Sequence, residues 1–121
     1  MNNDNEILGK TTIAPEVLVK IATLTTLNIP GVNRLASNPS SVDRLLSRNV
    51  DEGVRIVVEN NIVNVDLYLI LEDDINIREV SRTIQKKVSR AVSEMVGMDI
   101  GKVNIHVEDI ETKKLESNQV E

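Results

Sequence analysis

A change of hydrophobic period near residue 53 is the feature that most limits what this 121-residue chain can fold into. From Gly53 onward apolar residues alternate with polar ones, as they do in a strand that buries one face. The alternation is interrupted at Asn60-Asn61, and asparagine tolerates the left-handed backbone of a tight hairpin turn. The sequence therefore predicts two antiparallel strands, one before and one after this turn.

The strand after the turn has one apolar face and one mostly polar face. The apolar face carries Val63, Val65, Leu67, Leu69 and Leu71, and the other carries Asn64, Asp66, Tyr68, Ile70 and Glu72. The same alternation returns near the end of the chain, where Val103, Ile105 and Val107 alternate with Asn104, His106 and Glu108. A third strand is therefore predicted there.

Two other segments have the periodicity of helices. The first begins at Pro15 and Glu16, which are typical of a first helical turn, and stops near Ile29, before Pro30-Gly31. Its predicted apolar stripe is Val17, Leu18, Ile21, Leu24 and Leu27.

The second helical segment is the clearest element of the sequence. Asn76 and Glu79 have capping-box spacing at its start, and Gly97 stands at its C-terminal stop. Its apolar stripe is Ile77, Val80, Ile84, Val88, Ala91, Val92 and Met95. Such a stripe requires a sheet to cover it.

A further short strand is predicted over Lys10–Ile13, which gives the order β-α-β-β-α-β. We expect an α+β fold of two layers, with both helices on one face of a mainly antiparallel sheet, and ferredoxin-like topology fits this order best. The domain is predicted to cover residues 9–110, with flexible tails at 1–8 and 111–121. Residues 33–52 are the least readable stretch, with a short helical possibility around Val42–Leu46.

The composition leaves little equipment for catalysis. The chain contains no cysteine and a single histidine, His106, so thiol nucleophiles, disulfides and thiolate metal sites are excluded. The five glycines are isolated and form no phosphate-binding loop. We therefore predict no catalytic residues, no cofactor and no metal site, and a chain that is not an enzyme.

Two surfaces are candidates for binding a partner. The second helix carries Arg78, Arg82, Lys86 and Arg90 at four-residue spacing, which forms one basic stripe (the basic stripe) in a chain of net charge −5. The alternative interpretation is that these residues form an ordinary solvent-exposed helix face that binds nothing. The uncovered sheet face carries Asp66, Tyr68 and His106, together with Arg55, Asn64 and Asn104, and it faces either solvent or a partner.

The ordered set of these residues resembles the alkaline shock protein family, also called the Gls or envelope stress response family, of bacteria. The resemblance begins with Gly9, Ile13, Glu16, Val17, Ile21 and Ala22, continues through Gly31-Val32, Gly53-Val54 and Val65-Asp66-Leu67, and is densest in Ile77, Val80, Ile84-Gln85, Val88, Ala91-Val92, Met95, Gly97-Met98, Val103-Asn104-Ile105 and Val107. Gln85, Asn104 and Asp66 are its most informative members, because they are polar positions that core periodicity does not require.

The resemblance implies a non-enzymatic protein without a cofactor that self-associates, with some members held at the membrane by a separate membrane-spanning partner. We expect a cytoplasmic scaffold or assembly protein connected with envelope stress. Two alternatives stay open: a module that senses small molecules, and an RNA-binding module. The lack of aromatic residues other than Tyr68 weighs against stacking RNA bases.

Overall fold

The computed structural model describes residues 7–37, 50–51 and 53–113 of the chain. Two helices and five strands occur within these residues. Their order is α1 (Pro15–Leu27), β1 (Val32–Leu35), β2 (Val50–Asp51), β3 (Val54–Glu59), β4 (Ile62–Glu72), α2 (Ile77–Val96) and β5 (Asp99–Glu111). The predicted hairpin and the second predicted helix correspond to β3–β4 and to α2.

Strand β4 is the centre of the sheet. Along one edge it pairs in parallel with β5, from Ile62 to Glu72. Along its other edge it pairs antiparallel with β3 in its first half and with β1 in its second half. Strand β2 then pairs antiparallel with β3. Because α2 joins the parallel strands β4 and β5, this part of the chain is a β-α-β crossover.

The two strands that share one edge of β4 meet at Tyr68. Its amide donates to the carbonyl of Gly53 at 2.8 Å, and its carbonyl accepts from the amide of Ala36 at 2.7 Å. Gly53 has a φ of +78°, and a Cβ built on it would lie 2.7 Å from both the Ala36 carbonyl oxygen and the Leu35 Cβ. Glycine is therefore required at this junction by backbone conformation and by space.

The core lies between one face of the sheet and the two helices. The five apolar residues predicted for the buried face of β4 are all completely buried. Ile84, Val88 and Val92 of α2 are also completely buried, and α1 contributes Leu18 and Ala22. Burial of such aliphatic side chains contributes roughly 1.5–3 kcal/mol each.

Local signals set the ends of the main elements. Asn60 and Asn61 have φ values of +53° and +64°, the left-handed pair of a tight hairpin turn. The side chain of Asn76 accepts from the Glu79 amide at 3.0 Å, which caps α2. Gly97 ends α2 in the left-handed conformation, with φ +71°.

The α+β class is confirmed, with both helices on one face of a ferredoxin-like sheet in which three of the four strand pairings are antiparallel. The strand expected over Lys10–Ile13 was wrong, since residues 7–14 form no strand and are exposed. Ala14 is extended, with φ −68° and ψ 142°, as expected before a proline, so the segment is locally strand-like. Extended conformation alone does not make a strand, and residues 7–14 pair with no strand in the described part of the chain.

Four further elements differ from the sequence predictions. Helix α1 ends at Leu27, before the predicted stop near Ile29. Strand β1 (Val32–Leu35) lies almost wholly, and strand β2 (Val50–Asp51) wholly, in the stretch that the sequence left unassigned. Strand β5 begins at Asp99, earlier than predicted, and reaches Glu111. The possible helix around 42–46 and most of both predicted tails lie outside the described residues.

The junction at Gly53 gives a direct test of this packing. We expect Gly53→Ala to destabilise the fold by about 2–5 kcal/mol, since left-handed strain adds to overpacking against backbone atoms. Gly97→Ala is the matched control: its φ is similar, but nothing lies within 4 Å of the added Cβ. It should therefore cost about 1–2 kcal/mol. Urea unfolding of both variants measures the difference, and equal losses would contradict the packing argument.

Candidate contact surfaces

A polar cluster lies on the sheet face that the helices leave uncovered. Asp66 and Tyr68 of β4 stand in register with Asn104 and His106 of β5. One carboxylate oxygen of Asp66, Oδ1, accepts from Asn104 Nδ2 at 3.2 Å and bonds to His106 Nε2 at 2.9 Å. We call these four residues the sheet-face cluster. The structure thus brings together the three sheet residues that the sequence selected.

The ring of His106 is held on two sides within the sheet-face cluster. It stacks on the ring of Tyr68, with centroids 4.4 Å apart and planes 12° from parallel. Its Nε2 faces Asp66, so a proton on this nitrogen is donated to the carboxylate. The side chain of His106 is still 39% exposed. The arrangement presents an ordered polar and aromatic surface to solvent.

The basic stripe lies on the opposite side of the domain from the sheet-face cluster. Arg78, Arg82, Lys86 and Arg90 are all exposed on α2. Within the described residues, their one ion pair joins Arg90 to Glu94 over 3.8 Å, with both side chains more than 70% exposed. An exposed pair of this kind contributes little to stability. The stripe is therefore charged surface that the fold does not use.

Gln85 connects α2 to the edge of the sheet. Its side-chain amide donates to the carbonyl of Val103 in β5 at 2.9 Å, and the contact is partly buried. Together with Asp66 and Asn104, Gln85 was a polar position that hydrophobic periodicity left unexplained. All three now have hydrogen bonds between elements. Asp66 and Asn104 bond to each other within the sheet, and Gln85 bonds from the helix to the sheet.

Sequence reasoning missed an apolar surface on α1. It placed Val17, Leu24 and Leu27 in the buried stripe of the helix, but they are 44%, 56% and 45% exposed. Ile13, just before the helix, is 38% exposed and continues the row. We call these four residues the α1 apolar stripe. Within the helix, Val17, Leu24 and Leu27 have 7-3 spacing with one gap, at the exposed Lys20, and this heptad-like spacing was visible in the sequence as a separate helix face.

The helices also border an open groove of about 1020 Å³. Its lining runs along α2, with Lys86 and Arg90 of the basic stripe, and includes Thr25 of α1 and Ile100 of β5. These last two residues belong to elements that both pack against α2, and the groove is a depression open to solvent. Among the residues that the structure describes, no group of three or more His, Cys, Asp or Glu side chains could hold a metal ion.

Comparison with known proteins places the chain in a family. The model of the alkaline shock protein 23 family, described by a cell envelope-related function, matches residues 3–112. The chain belongs to this family. A Streptococcus pyogenes relative is 34% identical over 110 residues, covering 90% of this chain and 84% of the relative. The Bacillus subtilis relative YqhY is 26% identical over 113 residues, covering 92% and 84%. The family resemblance drawn from the sequence is confirmed.

A solved structure of a MamM CTD variant has a similar fold. It aligns with a TM-score of 0.50 at 12% identity, over 79% of this chain and 98% of that one. The likeness shows the fold alone. In the described part of the chain, neither helix has the length and apolar character needed to cross a membrane.

The hydrogen bonds of the sheet-face cluster predict a coupled effect on stability. Asp66→Ala removes an acceptor shared by two side chains, and we expect a loss of about 1–2 kcal/mol. Asn104→Ala should cost less in the Asp66→Ala background than in the wild type, because its partner is already gone. A double-mutant cycle by urea unfolding measures this coupling.

Glu59→Ala is the control for that cycle. Glu59 is an exposed carboxylate in β3 with no hydrogen bond or ion pair among the described residues. Its removal should change the free energy of unfolding by less than about 0.5 kcal/mol. Additive losses for Asp66→Ala and Asn104→Ala would contradict the coupling.

Proposed function

We propose that this chain is a non-enzymatic scaffold protein, acting on the cytoplasmic side of the cell envelope by self-association and by binding a partner held at the membrane. The cell envelope-related description of its family supports the setting. The exposed surfaces described above support the mode of action. They are the α1 apolar stripe, the sheet-face cluster and the basic stripe.

The α1 apolar stripe is the observation that carries the proposal. A soluble domain gains free energy by covering adjacent aliphatic side chains, at roughly 25 cal/mol for each Å² removed from water. Here Val17, Leu24 and Leu27 remain about half exposed, although the same helix buries Leu18 and Ala22 in the core. Apolar surface on one helix face that the domain itself does not cover is typical of protein interaction sites.

The basic stripe supports a second, electrostatic contact. The chain has a net charge of −5, yet this helix face presents four cations that the fold leaves in solvent. Uniform repulsion would keep the acidic chain away from anionic targets, whereas a local row of cations attracts them at short range. An acidic surface at the membrane, on a protein partner or on the lipid headgroups, is the target that this stripe fits.

Self-association is tested by light scattering over a range of concentrations. The wild type should have an average mass above that of a monomer, rising with concentration. Leu24→Glu should lower this mass, because it places a charge in the α1 apolar stripe. Asp66→Arg and Tyr68→Ala should lower it if the sheet-face cluster also forms a contact, with Glu59→Arg as the control for the same charge change. A wild type that stays monomeric at every concentration contradicts the proposed assembly.

The electrostatic contact is tested with vesicles and RNA side by side. We expect retention on phosphatidylglycerol vesicles, weak retention on phosphatidylcholine vesicles, and loss of binding in Arg82→Glu/Lys86→Glu. Lys10→Glu/Lys113→Glu makes the same charge change on exposed residues outside the three surfaces and should keep most of the binding. Stronger, salt-sensitive retention on single-stranded RNA than on the anionic vesicles would favour the RNA-binding alternative instead.

A further inference from the structure

Strand β5 has a long edge that no other described strand occupies. It pairs with β4 over its whole length, from Asp99 to Glu111, and with no other strand in the described part of the chain. An open edge presents a row of backbone donors and acceptors that can pair with another strand. With thirteen residues, β5 is the longest strand described.

The direction of the free backbone groups can be read from two hydrogen bonds. The amide of Lys102 donates to Asn64 Oδ1 of β4 at 2.8 Å, so Lys102 faces inward. Neighbouring residues of a strand direct their backbone groups to opposite sides, so Val103, Ile105 and Val107 face outward. The Val103 carbonyl accordingly accepts from Gln85, and its oxygen retains a second lone pair.

The sequence of β5 is nearly palindromic in chemical character about Ile105. Reading outward from Ile105, most residues at equal distances form matched pairs. These are Asn104 with His106, Val103 with Val107, Lys102 with Glu108, and Ile100 with Ile110, whereas Gly101 and Asp109 do not match. When two identical strands pair antiparallel about a two-fold axis through Ile105, each residue lies opposite its match on the second copy. Within residues 103–107 apolar residues then meet apolar ones, and Lys102 of each copy lies beside Glu108 of the other at the two ends of this segment.

Further features of β5 agree with a two-fold axis through Ile105. Strand β5 has an irregularity opposite Asn64, at residues 101–102, and another at Glu108, which leaves a regular segment over 103–107. Val107 and Ile110 remain 37% and 39% exposed. Lys102 and Glu108 are exposed and have no ion pair within the described residues. Asp99 would meet Glu111, a like-charged pair at the ends, but Glu111 is already bonded to Arg34.

We propose that a second copy of this chain docks on β5, pairing antiparallel across residues 103–107 about Ile105, with Lys102 and Glu108 of each copy forming ion pairs with the other. This inference rests on the proposed self-association and names its surface. The two sheets then become one continuous sheet. The sheet-face clusters adjoin across the seam, because His106 lies opposite Asn104 of the second copy.

Single cysteines test the register directly, since the natural chain contains none. A 1:1 mixture of Asn104→Cys and His106→Cys chains should form a disulfide-linked dimer on mild oxidation. Residues facing each other in such a non-hydrogen-bonded pair have Cα atoms about 4.5 Å apart, within the range of a disulfide. Each variant alone should give little dimer, because residue 104 lies about 7–8 Å from residue 104 of the second copy.

A charge exchange tests the ion pairs independently. Lys102→Glu and Glu108→Lys should each weaken dimerisation about tenfold in sedimentation equilibrium, because two like-charged pairs replace two opposite ones. The double variant Lys102→Glu/Glu108→Lys should restore it, and circular dichroism should show that the single variants remain folded. Lys10→Glu and Glu59→Lys serve as controls away from the edge.

The outcomes separate this inference from the proposed function. A wild type that associates, while the cysteine mixture gives no linked dimer or the charge exchange gives no rescue, overturns the β5 pairing and leaves assembly standing. Efficient disulfides within one single-cysteine variant indicate another register and also overturn it. A wild type that stays monomeric at every concentration overturns both.

Discussion

The alternation of β4 is the constraint on which the rest of the structure depends. Its five apolar side chains are completely buried, so a slip of one residue would turn all of them toward solvent. Both of its edges are paired, which fixes the positions of β1, β3 and β5. The helices then cover the single apolar face that results. The sheet-face cluster lies on the other face of this strand, and the helices that carry the remaining contact surfaces take their positions from its apolar face.

The elements that could be predicted from sequence are those with local causes. The hairpin follows from two asparagines that accept a left-handed backbone, and α2 follows from its cap at Asn76, its apolar stripe and Gly97. The strand expected over Lys10–Ile13 failed because extended conformation before Pro15 is a local property, whereas a strand needs a partner. Strand β1 was missed for the converse reason. Its four residues have little pattern of their own and are held in the sheet by β4.

The candidate contact surfaces show the same difference between features that the local sequence predicts and features that depend on packing. Asp66, Tyr68 and His106 could be placed on one face by alternation, but their hydrogen bonds and ring stacking depend on the register between β4 and β5, which follows from the crossover. The α1 apolar stripe was assigned to the core because periodicity identifies an apolar face without showing what covers it. Helix α1 is apolar around more than half of its circumference, and the sheet covers one part. The choice between the two faces is made by tertiary packing.

The junction at Tyr68 holds both ends of the segment that runs from β1 to β3. Ala36 and Gly53 bond to the carbonyl and the amide of the same residue, so the two ends of this segment are anchored at one point of β4. Closing a longer segment between fixed ends adds only about 0.6 kcal/mol for each doubling of its length. A change of length between these anchors therefore costs little and leaves the pairings of β4 with β1, β3 and β5 in place.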